Sequence, residues 1–114
     1  MTIGVVGLGY VGLPLAVAFA EAGNTVVGVD VDARVTQALA EGRSHIEDVP
    51  DEALRAAGER LRTTTRYAEL AKVDAIVVAV PTPLTQNREP DLQPLIATGT
   101  ALAGVLQAGQ LVVL

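Results

Sequence analysis

Ile3-Gly4-Val5-Val6-Gly7-Leu8-Gly9-Tyr10-Val11-Gly12 is a short apolar strand that runs straight into the pattern G-x-G-x-x-G. A helical pattern follows. The next apolar run, Thr25 to Val29, closes on an acid, Asp30, which stands 18 residues beyond Gly12. A strand before the glycines, a helix after them and a carboxylate about 20 residues on supply the context that a dinucleotide-binding fingerprint requires. Gly7 allows the tight turn out of the strand. Gly9 lets backbone approach a pyrophosphate with no Cβ in between, and Gly12 lets the helix pack closely. The amides of Tyr10 and Val11, at the front of that helix, would face the phosphates. Pro14 falls in the first helical turn, where its missing N–H has no intrahelical partner. Asp30 would accept hydrogen bonds from ribose hydroxyls and repel a 2′-phosphate, which favours NAD over NADP. Arg34 has two readings, a group lying over the ribose or adenine and a solvated helix charge. Over the ribose it would soften the discrimination against NADP.

Outward from this stretch, apolar runs alternate with helical patterns. Ile3 to Val6 is the first strand and Val11 to Ala22 a helix apolar on nearly every side, expected to be well buried. Gly23-Asn24 stops it. Thr25 to Val29 is the second strand, and Asp32 can cap a helix carrying Val35, Ala38 and Leu39. Gly42 ends that helix. Arg43 to Pro50 reads as loop, Asp51 to Gly58 as a short helix, Leu61 to Thr65 as a third strand and Tyr67 to Ala71 as one or two helical turns. Ala75 to Val80 is a continuous apolar run, suited to a central parallel strand buried on both faces. Pro81 to Pro90 is a loop with three prolines. Asp91 would cap a helix from Leu92 to Leu106, and Leu111 to Leu114 begins a last strand. This alternation predicts an α/β protein: a Rossmann-type doubly wound parallel sheet in three α/β/α layers, truncated after about five strands. The loop Val80-Pro81-Thr82-Pro83 follows the fourth strand. With that strand beside the first, Thr82 offers a hydroxyl and an N–H at the switch point where ligands bind in open sheets.

Composition narrows the function. The chain has 114 residues, half of them apolar, enough for one domain spanning 1–114 with a core of aliphatic side chains. Its formal charge of −5 argues against a general affinity for nucleic acid or anionic membrane. There is no cysteine, which excludes disulfides, thiolate metal sites and a cysteine nucleophile within these residues. His45, the only histidine, has no matching acid or nucleophile and reads as surface. The threonines at 63, 64 and 65 reflect strand propensity. No metal site and no nucleophile–base pair is visible, so no catalytic residue is expected here. No run approaches the ~18 apolar residues of a membrane helix, and no leader pattern opens the chain, so a cytoplasmic protein is expected. The final uncovered strand suggests a fragment of a longer polypeptide.

The segments Gly7-Leu-Gly-Tyr-Val-Gly-Leu-Pro-Leu-Ala16, Gly28-Val-Asp-Val-Asp32, Val80-Pro-Thr-Pro-Leu84 and Arg88-Glu-Pro-Asp-Leu92 together resemble the N-terminal, NAD-binding domain of the UDP-glucose/GDP-mannose dehydrogenase family. The resemblance spans the whole chain. The Arg88–Leu92 loop is more similar to the branch acting on UDP-N-acetylhexosamines, the UDP-N-acetylglucosamine 6-dehydrogenases first and the UDP-N-acetylmannosamine enzymes next. The UDP-glucose branch usually reads G-T-P and then A-D-L there. The resemblance implies oxidation of a sugar-nucleotide C6 hydroxyl to the uronic acid in two steps with two NAD, through a cysteine thiohemiacetal and thioester. It implies cofactor contacts at Gly7, Gly9, Tyr10, Val11, Gly12, Asp30 and Thr82, with the family's basic residue near the ribose falling close to Arg34. The family's cysteine, lysine and most sugar-binding residues lie beyond this domain, so the chain alone is expected to be inactive. The full-length protein is expected to be a homo-oligomer with a small-molecule UDP-sugar substrate, and without nucleic-acid or membrane partners. Two other readings stand beside this one: a stand-alone nucleotide-sensing regulatory domain, which would close its sheet with a sixth strand, and the cofactor domain of a β-hydroxyacid dehydrogenase.

Overall fold

Five parallel strands in the order β3-β2-β1-β4-β5 form the sheet. The computed structural model describes residues 1–81, 84 and 86–114 of the chain. The elements are β1 (Thr2–Val6), α1 (Gly12–Glu21), β2 (Thr25–Val29), α2 (Ala33–Ala40), α3 (Asp51–Ala57), β3 (Leu61–Thr64), β4 (Ala75–Val78), α4 (Gln93–Ala103) and β5 (Leu111–Val113). Short 3₁₀ turns occupy Gly58–Arg60 and Tyr67–Lys72. β1 pairs with β2 from Thr2↔Thr25 to Val6↔Val29 and, on its other side, with β4 from Ile3↔Ala75 to Val6↔Val78. The switch point therefore lies between β1 and β4, as the doubly wound pattern predicts.

Strand alternation sorts the apolar residues into two cores, one on each sheet face. Ile3, Val5 and Val26 pack with Leu13, Ala16, Val17 and Ala20 of α1, Leu39 of α2 and Leu54 and Ala57 of α3. Val6, Val27, Val29, Ile76 and Val78 pack with Leu70, Val73 and Leu102 on the opposite face. This is the three-layer arrangement. Gly4 belongs to it for a steric reason: a Cβ there would stand 2.5 Å from Leu70 Cδ2.

Several expectations need correction. α1 closes one face only: Gly12, Leu13, Ala16, Val17 and Ala20 are buried, while Ala18 is exposed and Pro14, Leu15 and Phe19 are half-buried. An Ala-rich helix carries too little polar marking to reveal which side meets solvent. β4 is closed on one face by Ile76 and Val78, but Ala75 and Val77 are half-open. It is also two residues shorter than its apolar run, although Ala79 N–H still donates to Val6 O at 2.7 Å. α4 stops at Ala103 with Gly104 as its C-cap, and Val105 then turns back to pack on the second core. The segment 43–50 is irregular, as expected, yet Ile46 and Val49 are buried in the first core. Thr63 does more than favour a strand: its hydroxyl donates to Thr36 O of α2 at 2.9 Å.

Candidate functional site

At the C-terminal edge of the sheet, the loop from Gly7 to Val11 threads between the tips of β2 and β4. Gly7 N–H still extends the β1–β2 ladder, donating to Val29 O at 2.8 Å. Its φ then turns to +93°, and a Cβ there would lie 2.6 Å from Ala79 O. Both facts demand glycine. Leu8 drops inward and is fully buried, its side chain filling the space over Gly28, where a Cβ would come within 3.0 Å of Leu8 Cδ2. Gly9 is different: a Cβ at this position would meet nothing within 4 Å. Its backbone faces open space and could take a ligand at backbone distance. Gly12 starts α1 directly against the turn, where a Cβ would collide with Gly7 O at 1.6 Å. The helix is thus pressed onto the turn's own carbonyl and onto the tip of β4, more than onto β1 itself.

The front of α1 is left unpaired by the protein. Val11 occupies the N-cap with no side-chain capping bond, and the first turn carries no acid. Among the described residues, the N–H groups of Tyr10 and Val11 have no acceptor; both residues are exposed. α2 makes the contrast, since Asp32 caps it by accepting Arg34 N–H at 2.9 Å. A helix front with free amides and no capping oxygen is suited to an anion, favoured further by the helix dipole.

Asp30 follows β2, its N–H held by Thr64 O at 3.1 Å. Its carboxylate turns toward the glycine loop: Oδ2 accepts Leu8 N–H at 3.0 Å and Oδ1 accepts Asp32 N–H at 2.9 Å. A carboxylate can accept about four hydrogen bonds, so roughly two sites remain for ribose hydroxyls. Asp30 therefore both supports the loop and stands ready beside it. Next to it opens a crevice of about 540 Å³ between the tips of β1 and β2 and the N-terminal half of α4. Val31, Tyr67, Val80, Pro81 and Ala97 give it mainly apolar walls suited to a flat aromatic base. Thr98, buried in its floor, donates to Pro94 O at 2.9 Å and so brings no unsatisfied polar atom into the crevice.

The structure thus brings Gly7, Gly9, Tyr10, Val11, Gly12 and Asp30 together. Arg34 is placed otherwise. Its guanidinium grips Asp32, Nε to Oδ1 at 3.2 Å and Nη2 to Oδ2 at 3.1 Å, with the side chain 92% exposed. The Arg34 hydrogen bond holds the Asp32 carboxyl below the usual carboxylate range and raises the guanidinium's own affinity for its proton. Thr82 lies outside the described residues. Sequence reasoning missed the α4 wall and Tyr67, which are distant in the chain, and the Leu8–Asp30 hydrogen bond, which depends on backbone direction. Leu8, an apolar residue between two glycines, was the one visible hint.

The whole chain, residues 1–114, matches the family described as UDP-glucose/GDP-mannose dehydrogenase family, NAD binding domain. It is 45% identical to an NDP-N-acetyl-D-galactosaminuronic acid dehydrogenase of Ralstonia nicotianae, over 99% of this chain and 27% of that protein. It is 38% identical to a UDP-N-acetyl-D-glucosamine 6-dehydrogenase of Pseudomonas aeruginosa, over 99% of this chain and 26% of that one. Among solved structures, a UDP-D-ManNAc dehydrogenase from Pyrococcus horikoshii superposes with a TM-score of 0.91 at 36% identity, over 98% of this chain and 27% of that chain. The chain therefore spans about a quarter of the length of these relatives.

Proposed function

This chain belongs to the UDP-glucose/GDP-mannose dehydrogenase family as its NAD-binding domain, and from that premise we propose that it holds NAD for a longer enzyme that oxidises the C6 hydroxyl of a UDP-N-acetylhexosamine to the uronic acid. Family membership replaces both the free-standing sensor and the β-hydroxyacid dehydrogenase readings. Support for the finer substrate class comes from three relatives named for an N-acetylhexosamine or its uronic acid and from the Arg88-Glu89-Pro90-Asp91-Leu92 loop. Their names differ in the sugar, and the proposal is made for the N-acetylhexosamine class. The fragment reading is supported by the one-quarter coverage.

The observation that carries the cofactor reading is the bare backbone at Gly9 beside an uncapped α1. These residues fit a dinucleotide. The amides of Tyr10 and Val11 would hold the pyrophosphate, Asp30 the adenosine ribose, and the crevice beside Tyr67 and Pro81 the base. The bound cofactor supplies a hydride acceptor. The chain's own residues fix its position and leave the sugar and the covalent chemistry to groups elsewhere. Thr82 and Arg34 belong to the proposed contact set, Arg34 only after release from Asp32.

Calorimetric titration of the chain with NAD, NADP and ADP-ribose tests this directly. NAD and ADP-ribose are expected to bind and NADP to bind more weakly. A folded sample that gives no heat with any of the three overturns the cofactor site.

A further inference from the structure

We propose that the Tyr67 phenol selects the base of the bound dinucleotide, favouring a purine that carries an exocyclic amine over one with a keto oxygen in its place. The inference rests on the cofactor reading above, which gives the base to the crevice beside Tyr67. The polar side chains among the described residues lining that crevice are those of Asp30, Tyr67 and Thr98. Asp30 is turned to the glycine loop, where it accepts Leu8 N–H and Asp32 N–H. Tyr67 and Thr98 stand together instead, with Tyr67 Oη 3.5 Å from Thr98 Oγ1. This pair joins the turn at Tyr67–Lys72 to α4 across the crevice.

Which way the protons run in this pair follows from its far end. Thr98 is 3% exposed, and its hydroxyl donates to Pro94 O at 2.9 Å. A carbonyl oxygen only accepts, and a threonine hydroxyl has one proton to give. The short bond therefore takes the Thr98 proton, and the longer one is left for the Tyr67 O–H to donate. The order from Tyr67 O–H to Thr98 O–H to Pro94 O leaves the phenol's lone pairs as what it offers to the crevice. The surrounding wall of Val31, Val80, Pro81 and Ala97 is apolar. A base that sets a second acceptor against the phenol oxygen there leaves both unpaired and shielded from water, at a cost. The amino group of adenine can donate to the phenol oxygen. The O6 of hypoxanthine, the same ring system with a keto oxygen, cannot.

The experiment titrates the wild-type chain, Tyr67→Phe, Thr98→Val and Thr98→Ser with NAD and with nicotinamide hypoxanthine dinucleotide. Circular dichroism checks that the fold is kept. The wild type is expected to bind NAD about fivefold more tightly, the size of one ordinary hydrogen bond. Tyr67→Phe keeps the ring in the wall and should bring the two dissociation constants together. Thr98→Val frees the phenol proton to turn toward O6, so the ratio should narrow although Tyr67 is untouched. Thr98→Ser keeps the hydroxyl and should keep the wild-type ratio. A merely structural role for Tyr67 and Thr98 would weaken both ligands alike, and an unchanged ratio in Tyr67→Phe or in Thr98→Val overturns the proposal. Equal binding of the two dinucleotides by the wild type overturns it too, and leaves the cofactor site standing. A wild type that binds neither is a different result: it removes the cofactor site, and this inference with it.

Discussion

Three glycines at the site look alike in sequence and do different jobs. Gly12 is sterically closed, with a virtual Cβ 1.6 Å from Gly7 O, whereas Gly9 is open for 4 Å around. Gly12→Ala must push α1 off the turn, an overpacking cost of about 1–3 kcal/mol or more. Gly9→Ala should leave stability within about 0.5 kcal/mol of wild type and still weaken NAD binding, because its methyl enters the open space that the proposed function gives to the pyrophosphate. Urea unfolding and calorimetry on the two variants separate the effects; a Gly9→Ala chain that binds NAD at wild-type strength would move the pyrophosphate elsewhere. Asp32 offers a test in pH. Its hydrogen bond from Arg34 lowers its carboxyl below the ordinary value of 3.8. A group lowered in the folded state contributes its stabilisation fully above its unfolded value and loses it as pH falls through the folded one. The start of α2 should therefore hold at neutral pH and loosen only in acid, below about pH 4. Hydrogen exchange at Val35 and Thr36 follows this, and in Arg34→Ala, which removes the main cause of the lowering, the loosening should be smaller and complete at a higher pH.

Elements were legible where a period or a capping residue marked them. The helix start expected at Asp91 is a correction: α4 begins at Gln93 with Leu92 as its N-cap and no side-chain capping bond, and Asp91 Oδ1 accepts Gln93 N–H at 3.0 Å from one residue further out. Connections were the weaker part, because a loop residue's burial depends on what happens to lie beneath it. Leu8 is the clearest example. It sits in a turn yet is fully buried, so Leu8→Ala should cost about 2–5 kcal/mol, as in a core, rather than the few tenths typical of loops. Loss of its anchor should also loosen the glycine loop and lower NAD affinity. A denaturation midpoint unchanged from wild type would show that the loop, not the core, governs that position.

On the scale of the whole molecule, the sheet is covered unevenly. The three residues of β5 are exposed, Leu111 at 62%, and β4 is half-open on one face. The cysteine of the proposed reaction, absent from these 114 residues, would come from elsewhere in the longer enzyme. The chain should accordingly release no NADH when given NAD and a UDP-N-acetylhexosamine, monitored by absorbance at the nicotinamide band. Steady NADH formation above a no-enzyme control would mean that catalysis needs no cysteine and that this domain does more than hold the cofactor. No helix among the described residues is long and apolar enough to cross a membrane.

Local chemistry settled the class of fold and the kind of ligand. Glycine spacing, strand alternation and an acid after the second strand are constraints on neighbouring backbone, and neighbouring backbone is what a linear string records. The partners those residues chose were decided by packing. Asp30 reaching Leu8, Arg34 gripping Asp32, Tyr67 and α4 walling the crevice and Ile46 entering the core each join segments whose proximity exists only once the crossovers have closed over the sheet. Hydrogen bonds and close contacts act over a few ångströms, so which of them form is a property of the assembled chain.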